Sequence, residues 1–295
     1  MNKNFVNHLQ NILNSIKEAN KSAVKIISFS NVYGGDINQT FRLELDNSDS
    51  LFLKLNSAQK LSMFEAESFA LETIYSSRSI KCPRPVTTGA FAGQAYLIME
   101  YIEFGQPDSK SYIEFGRQLA NMHKASNDKF GFAIDNTIGS TPQYNSFKTN
   151  WQDFWRDNRI LPQLKMAENR GAGKNLRLKA DRILAKLSDF FPKEPEACLL
   201  HGDLWSGNYA ADTAGNPVIY DPASYYGDRE CDLAMTELFG RCPQNFYDSY
   251  NETWPLDEGY ARRRTLYNFY HIINHYNLFG GGYASQAERM LDSLL

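Results

Sequence analysis

The sequence lacks the cysteine pattern of a secreted scaffold or a zinc module. Its four cysteines, Cys82, Cys198, Cys231 and Cys242, form no CxxC pair and have no histidines at zinc-ligand intervals. Scattered in this way, they read as small hydrophobes packed in a core. No apolar run approaches membrane-span length, and the first twenty residues, MNKNFVNHLQNILNSIKEAN, contain no continuous apolar stretch of a secretory leader. Together these absences predict a reducing, cytoplasmic setting. Neither sign of charge dominates: 31 Lys and Arg face 34 Asp and Glu, for a net charge of −3 and a pI near 6.0. This argues against a general pull toward nucleic acid or anionic membrane. An anionic ligand would need a metal and a few placed donors. No repeat of fixed period is visible.

What the chain does have is length for two modest lobes, 295 residues with the apolar and charged fractions of a soluble protein. Phe5, Leu9, Ile12, Leu13 and Ile16 recur at helical spacing and predict an amphipathic helix over 3–19. The period then changes. Val24, Ile26 and Ile27 open a strand, NVYGGDINQ interrupts it, and Phe41, Leu43 and Leu45 alternate with Arg42 and Glu44 as in a half-buried strand. Asp46 to Asp49 form a turn, and SLFLKLN returns as a strand carrying Lys54. A helix near 61–77 holds Glu65 and Glu67. After the Pro83–Pro85 breaker, QAYLIMEYIE reads as a buried strand ending at a hinge. From Ser109 onward helices dominate, except for hairpin strands around CLLHGDLWSGNYAADTAGNPVIYDPASYYGD. Strands first and helices after predict an α+β protein of two lobes, residues 1–102 and 103–295, with the boundary near 102–108.

The chemistry is concentrated in His201-Gly202-Asp203-Leu204-Trp205-Ser206-Gly207-Asn208, followed by Val218-Ile219-Tyr220-Asp221. Phosphoryl transfer needs positioning and charge neutralisation more than covalent help. Asp203 and Asn208 have the H-x-D-x-x-x-x-N spacing of a kinase catalytic loop. Asp203 is the candidate base, while Asn208 and Asp221 are hard oxygen ligands suited to Mg²⁺. These residue types also cap turns, but a strand-borne aspartate following the loop favours chemistry. Lys54, steadied by Glu67 or less well by Glu65, suits a phosphate contact; alone it would read as a solvated strand lysine. Gly34 and Gly35 could bring backbone N–H groups to ATP phosphates, although Asp36 beside them would repel a triphosphate unless turned away. Met99, Glu100, Tyr101 and Ile102 are the candidate adenine-side hinge. Trp205 either packs on a sugar or its amine, or fills the core. Arg262-Arg263-Arg264 reads as a solvated helix face. His271 and His275 share a helix face, but no HExxH glutamate accompanies them, so packing with Tyr267 and Tyr270 is expected.

These residues resemble the fructosamine/ketosamine kinase family, a branch of the protein-kinase-like small-molecule kinases. The resemblance runs along nearly the whole chain. It is carried by GGDIN at 34–38, FLKLN at 52–56, EAESFALE at 65–72, LIMEYIE at 97–103 and FGFAIDNTIGSTPQ at 130–143. HGDLWSGN at 201–208, YDPASYYGDRECDLAMTELFG at 220–240 and the terminal NHYNLFGGGY continue it. The HGDxxxxN core is shared with aminoglycoside and choline kinases; Trp205, GSTPQ and YYGDRECDLAM are particular to this family. The resemblance implies a small antiparallel-sheet N-lobe, a helical C-lobe, and ATP-dependent phosphorylation of the 3-hydroxyl of ketosamines, free or on glycated protein lysines. It assigns the base role to Asp203, Mg²⁺ to Asn208 and Asp221, and phosphate contact to Lys54 with Glu67. Some relatives carry a cysteine in the glycine loop where this chain has Asp36, which argues against a redox switch there. A protein kinase is disfavoured because Gly202 stands in place of the HRD arginine, Asp221-Pro222-Ala223 stands in place of DFG, and no A-P-E occurs. The alternatives are an aminoglycoside or choline type of hydroxyl kinase, a silent nucleotide binder, and a metal-dependent hydrolase.

Overall fold

A computed structural model describes residues 3–18, 25–32 and 38–295. They fall into two compact units, Met1–Glu72 with Pro83–Glu103, and Thr73–Cys82 with Phe104–Leu295. One chain division lies at Glu103/Phe104; another falls inside a helix.

The first unit begins with helix α1 (Lys3–Glu18). It continues with strands β1 (Ile26–Asn31), β2 (Gln39–Leu45) and β3 (Ser50–Ser57), helix α2 (Leu61–Ser77, whose last residues belong to the second unit), and strands β4 (Pro85–Phe91) and β5 (Gln94–Glu100). The five strands form one antiparallel sheet in the order β1-β2-β3-β5-β4. Phe5 and Leu9 of α1, one helical turn apart, pack on Leu43, Leu53, Leu55, Tyr96 and Ile98. Each such side chain contributes roughly 1.5–3 kcal/mol when fully buried. The β2–β3 turn is set by Asn47, whose side-chain oxygen accepts from the Asp49 amide at 3.2 Å, and by Ser48 with φ of 68°. Leu53 and Leu55 face the α1 side; Lys54, between them, faces the opposite way and is also buried.

The second unit runs through β6 (Phe104–Gly105), α3 (Ser109–His123), β7 (Ser126–Asn127), β8 (Asn136–Ile138), β9 (Thr141–Gln143) and α4 (Trp151–Phe154). A π-helical segment, Trp155–Ile160, joins α4 to α5 (Leu161–Asn169). Then follow α6 (Lys174–Leu184), β10 (Ala197–Leu200), β11 (Tyr209–Asp212), β12 (Pro217–Ile219), β13 (Tyr225–Gly227), α7 (Glu230–Thr236), α8 (Gln244–Thr253), α9 (Tyr260–Phe279) and α10 (Tyr283–Leu294). Helix α3 starts at a capping box in which Asp108 and Ser111 satisfy each other's backbone N–H groups. Three small sheets, β13-β10-β7, β12-β11-β6 and β8-β9, are set among the helices. The core between them is aromatic: Trp151 stacks on Phe154 and donates its indole N–H to Tyr267 at 3.1 Å.

The arginine run on α9 departs from expectation at its middle residue. Arg263 is buried and grips Glu230 with two 2.7 Å bonds, and Arg264 reaches Glu237 at 2.6 Å. Arg262 lies over Phe190, 4.2 Å from the ring centre. Arg263 alone leaves the solvated face; Arg262 stays exposed and the Arg264 side chain is 40% exposed, as expected of a solvated face. His271 and His275 are packed, His271 edge-on to Tyr270 and His275 against Phe239. The four cysteines are buried free thiols.

Candidate active site

Strand β10 ends at Leu200, and the chain crosses residues 201–208 before re-entering a sheet as β11. The crossing is fixed from below by Asp232 of α7. Its carboxylate accepts from the backbone N–H of His201 at 2.7 Å, from that of Gly202 at 2.8 Å, and meets His123 Nε2 at 3.1 Å. Burial alone would push the Asp232 carboxyl up; the hydrogen bond and charge of His123, with the Gly202 amide, hold it below the usual value. His201 is fully buried, and burial lowers its pKa. Its Nδ1 accepts from the Asp203 amide at 3.3 Å, so the ring proton sits on Nε2, 2.9 Å from the Tyr220 carbonyl. A neutral imidazole thus ties the loop to the strand that follows it.

Gly202 is required here by geometry. Its φ is +84°, and a Cβ would stand 2.1 Å from the Ala223 carbonyl oxygen. Segment 221–224 therefore lies directly against the loop. Asn208 donates its side-chain amide to the Asp203 carbonyl at 2.8 Å and to Asp203 Oδ2 at 3.1 Å, which turns the amide oxygen of Asn208 away from Asp203. The β11–β12 hairpin pairs Tyr209 with Ile219, and the Tyr220 amide donates to the Asn208 carbonyl at 3.0 Å. Asp221 follows at once, exposed, with φ of +56°. Left-handed backbone at a residue with a Cβ is a strained state that neighbours must impose. Asp203 is half-buried. Burial and then the charge of Asp221 push its carboxyl up to about 7.

The Asp221 charge that raises Asp203 would be relieved by a cation, and the available donors are oxygens. Among the described residues there is no cluster of three His, Cys, Asp or Glu that could hold a metal unaided. The amide oxygen of Asn208 and the carboxylate of Asp221 are hard donors, incomplete as a ligand set by themselves. That set fits Mg²⁺, which keeps waters and takes further ligands from phosphates.

Trp205 is 38% exposed, so it is not a core tryptophan. Its indole lies over Gly207, where a Cβ would come within 2.3 Å of the ring. A flat aromatic surface is therefore presented two residues from Asp203. Ser206 anchors this stretch by donating to the Phe239 carbonyl at 2.7 Å.

In the first unit, Lys54 Nζ and Glu67 Oε1 are 2.6 Å apart and both side chains are buried, which overturns a solvated lysine; Glu65 is exposed. Met99 and Glu100 end β5, a strand paired on both edges, and the Glu100 amide already donates to the Arg84 carbonyl at 2.8 Å. Tyr101 and Ile102 lie beyond the strand, with the Tyr101 ring under the Arg42 guanidinium. Gly34, Gly35 and Asp36 lie outside the described residues. Sequence reasoning missed Asp232 and His123. The DRECD stretch was visible as part of a motif, but nothing local says that its second aspartate holds a loop 30 residues upstream.

A sequence model of the family described as Fructosamine kinase matches residues 8–295. A "Probable ketoamine kinase" from Synechocystis is 44% identical over 288 residues, covering 97% of this chain and 96% of the relative. The chloroplastic protein-ribulosamine 3-kinase of Arabidopsis thaliana is 42% identical over 277 residues, covering 92% and 84%. A crystal structure from Haemophilus somnus 129PT, assigned as a fructosamine-3-kinase, superposes with a TM-score of 0.85 at 28% identity, over 97% of this chain and 96% of that one.

Proposed function

The chain belongs to the fructosamine kinase family, and from that premise we propose that it transfers the γ-phosphoryl group of ATP to the 3-hydroxyl of ketosamines. The observation that carries this reading is Asp203, held by Asn208 and poised near neutrality beside Asp221. Asp203 orients the acceptor hydroxyl and takes its proton as the hydroxyl oxygen bonds to the γ-phosphorus; the bond from that phosphorus to the β–γ bridging oxygen breaks, and ADP leaves. Asn208 and Asp221 hold Mg²⁺, which when bound neutralises charge on the phosphates. Trp205 offers its face to the sugar or its amine.

Two lobes, an ATP-binding one over 1–102 and a catalytic and acceptor one over 103–295, divide the labour. In the first, Lys54 with Glu67 meets phosphate, Gly34 and Gly35 offer backbone amides to it, and the segment Met99 to Ile102 meets adenine. Because the Glu100 amide is committed within the sheet, Tyr101 and Ile102 supply the free hinge peptides. Lys54→Met is expected to lower kcat about 10²–10³-fold, as for loss of one donor to developing charge. It also removes the lysine paired at 2.6 Å with buried Glu67. The double variant Lys54→Met, Glu67→Gln should therefore regain melting temperature in thermal unfolding while remaining inactive. Recovery of turnover in the double variant would contradict the phosphate role.

The acceptors are proposed to be ribulosamine, erythrulosamine or fructosamine adducts, on small amines or on protein lysines, with repair as the outcome. Once carbon 3 bears phosphate, loss of a proton from the amine-bearing carbon lets phosphate depart, and water hydrolyses the resulting imine to free the amine. Four buried free thiols suit a reducing cytoplasm, and no helix among the described residues is long and apolar enough to cross a membrane. The test is a coupled ADP-release assay with Mg·ATP, offering the three adducts alongside choline and an aminoglycoside. Strong turnover on one ketosamine is expected. Turnover confined to choline or the aminoglycoside would keep the kinase machinery and discard the acceptor.

A further inference from the structure

The GSTPQ stretch ends in a device for which the transfer chemistry above has no place. The β8–β9 hairpin sets Asn136 directly opposite Gln143, and both side chains are buried, Gln143 to 1%. Gln143 Nε2 donates to Asn136 Oδ1 at 2.7 Å and to the Ala223 carbonyl at 3.0 Å. Asn136 Nδ2 donates to the Ser224 carbonyl at 2.9 Å. Tyr270 of α9 donates its hydroxyl to Gln143 Oε1 at 2.8 Å, so the amide can face Ala223 in only one sense. Beyond Gln143 the chain is held by Arg159, which donates to the Tyr144 carbonyl and to Asn145 Oδ1 at 2.6 and 2.8 Å.

The two carbonyls taken by this pair follow Asp221 by two and three residues. On the other side, the Ala223 amide donates to the His201 carbonyl at 2.9 Å, and the Ala223 oxygen abuts Gly202. Segment 221–224 is thus clamped between the Asp203 loop and two amides whose hydrogens are directional. Asp221, the first residue of that segment, carries left-handed backbone, a strained state that its surroundings must impose.

We propose that Asn136 and Gln143, oriented by Tyr270, are positioning residues that fix Asp221, and through Ala223 the Asp203 loop, for metal–nucleotide binding and transfer. This rests on the reading of Asp221 as a metal ligand. Groups that orient a ligand from behind are worth about 10–100-fold in metal affinity or activity, and that sets the expected size. Gln143→Met keeps volume and removes all three bonds. Tyr270→Phe keeps the amide and frees its orientation, a milder change if the first variant folds poorly.

Titration calorimetry of ADP with and without Mg²⁺ reads binding apart from turnover. Gln143→Met should weaken Mg·ADP binding at least tenfold while metal-free ADP binding stays unchanged, and Tyr270→Phe should give a smaller loss of the same kind. The Mg²⁺ concentration for half-maximal turnover should rise in parallel. Metal-dependent binding and kcat within twofold of wild type in both variants, with only the melting temperature lowered, would make the pair a structural tie and overturn the proposal. Asp221→Asn separates the two readings. If it leaves Mg·ADP binding intact, the ligand assignment fails and the inference fails with it. If it abolishes that binding while Gln143→Met and Tyr270→Phe do not weaken it, the positioning inference alone fails.

Discussion

Asp203→Asn is expected to lower turnover by about 10²–10⁴-fold, the usual worth of a positioned proton acceptor, and at the same time to stabilise the metal-free protein at alkaline pH. Both effects come from one property. Asparagine keeps the size of the side chain but cannot take the hydroxyl proton. The same exchange removes a carboxylate that the fold disfavours, because burial and the Asp221 charge push its pKa up to about 7.

In the unfolded chain the carboxyl ionises near pH 4. A raised folded value means that the native state binds the proton more tightly, so its stabilisation is complete below about pH 4 and is lost as pH rises through about 7. A shift of this size corresponds to roughly 4 kcal/mol. Asp203 has an edge open to solvent, which reduces the figure to about 2 kcal/mol. In EDTA at pH 8 the asparagine variant should then melt about 4–6 °C above wild type, and the gap should close toward pH 4. Turnover above a tenth of wild type would remove Asp203 from the base role. Equal melting temperatures at pH 8 would show that the site tolerates the carboxylate without cost.

Much of this could be read from local sequence, and what could not has a physical cause. The Lys54–Glu67 contact lies within reach of pattern reasoning, because strand alternation fixes the face of Lys54 and helix spacing distinguishes Glu67 from exposed Glu65. The α+β order and the loop spacing from Asp203 to Asn208 are also local. Arg263 could not be told apart from its exposed neighbour Arg262 because three like charges in sequence say nothing of what approaches each. Arg263 meets Glu230 across 33 residues, and its burial depends on α7 packing against α9. The π-helical turn that carries Arg159 into the core, and the amide pair at 136 and 143, likewise depend on partners far along the chain. Trp205 could not be resolved from sequence, since exposure is a property of the packed loop. Asp232 was the most consequential omission, because its carboxylate bonds to His123, His201 and Gly202 all reach residues at least 30 positions away.

That makes Asp232→Asn the sharpest test of how the loop is built. The substitution changes one oxygen to an amino group and leaves volume almost untouched. In wild type, Oδ2 accepts from the His201 amide and faces His123, while Oδ1 accepts from the Gly202 amide. An asparagine presents an acceptor to one backbone N–H and a donor to the other, so a buried N–H loses its partner whichever way the amide turns. One unsatisfied buried donor costs about 1–3 kcal/mol, and losing the charge that His123 faces brings the total to about 3 kcal/mol. The melting temperature should fall by about 6–10 °C at pH 7. Turnover should drop at least tenfold even where the variant is fully folded, because His201 and Gly202 carry Asp203. The pH dependence separates charge from shape. Asp232 has a lowered pKa, so its stabilisation is present above about pH 4 and is lost as pH falls through the folded value. The deficit of the variant should therefore shrink below pH 4, where wild type protonates as well. A deficit that persists undiminished at acid pH would trace the loss to packing, and full activity in a folded variant would leave the catalytic loop anchored by something other than Asp232.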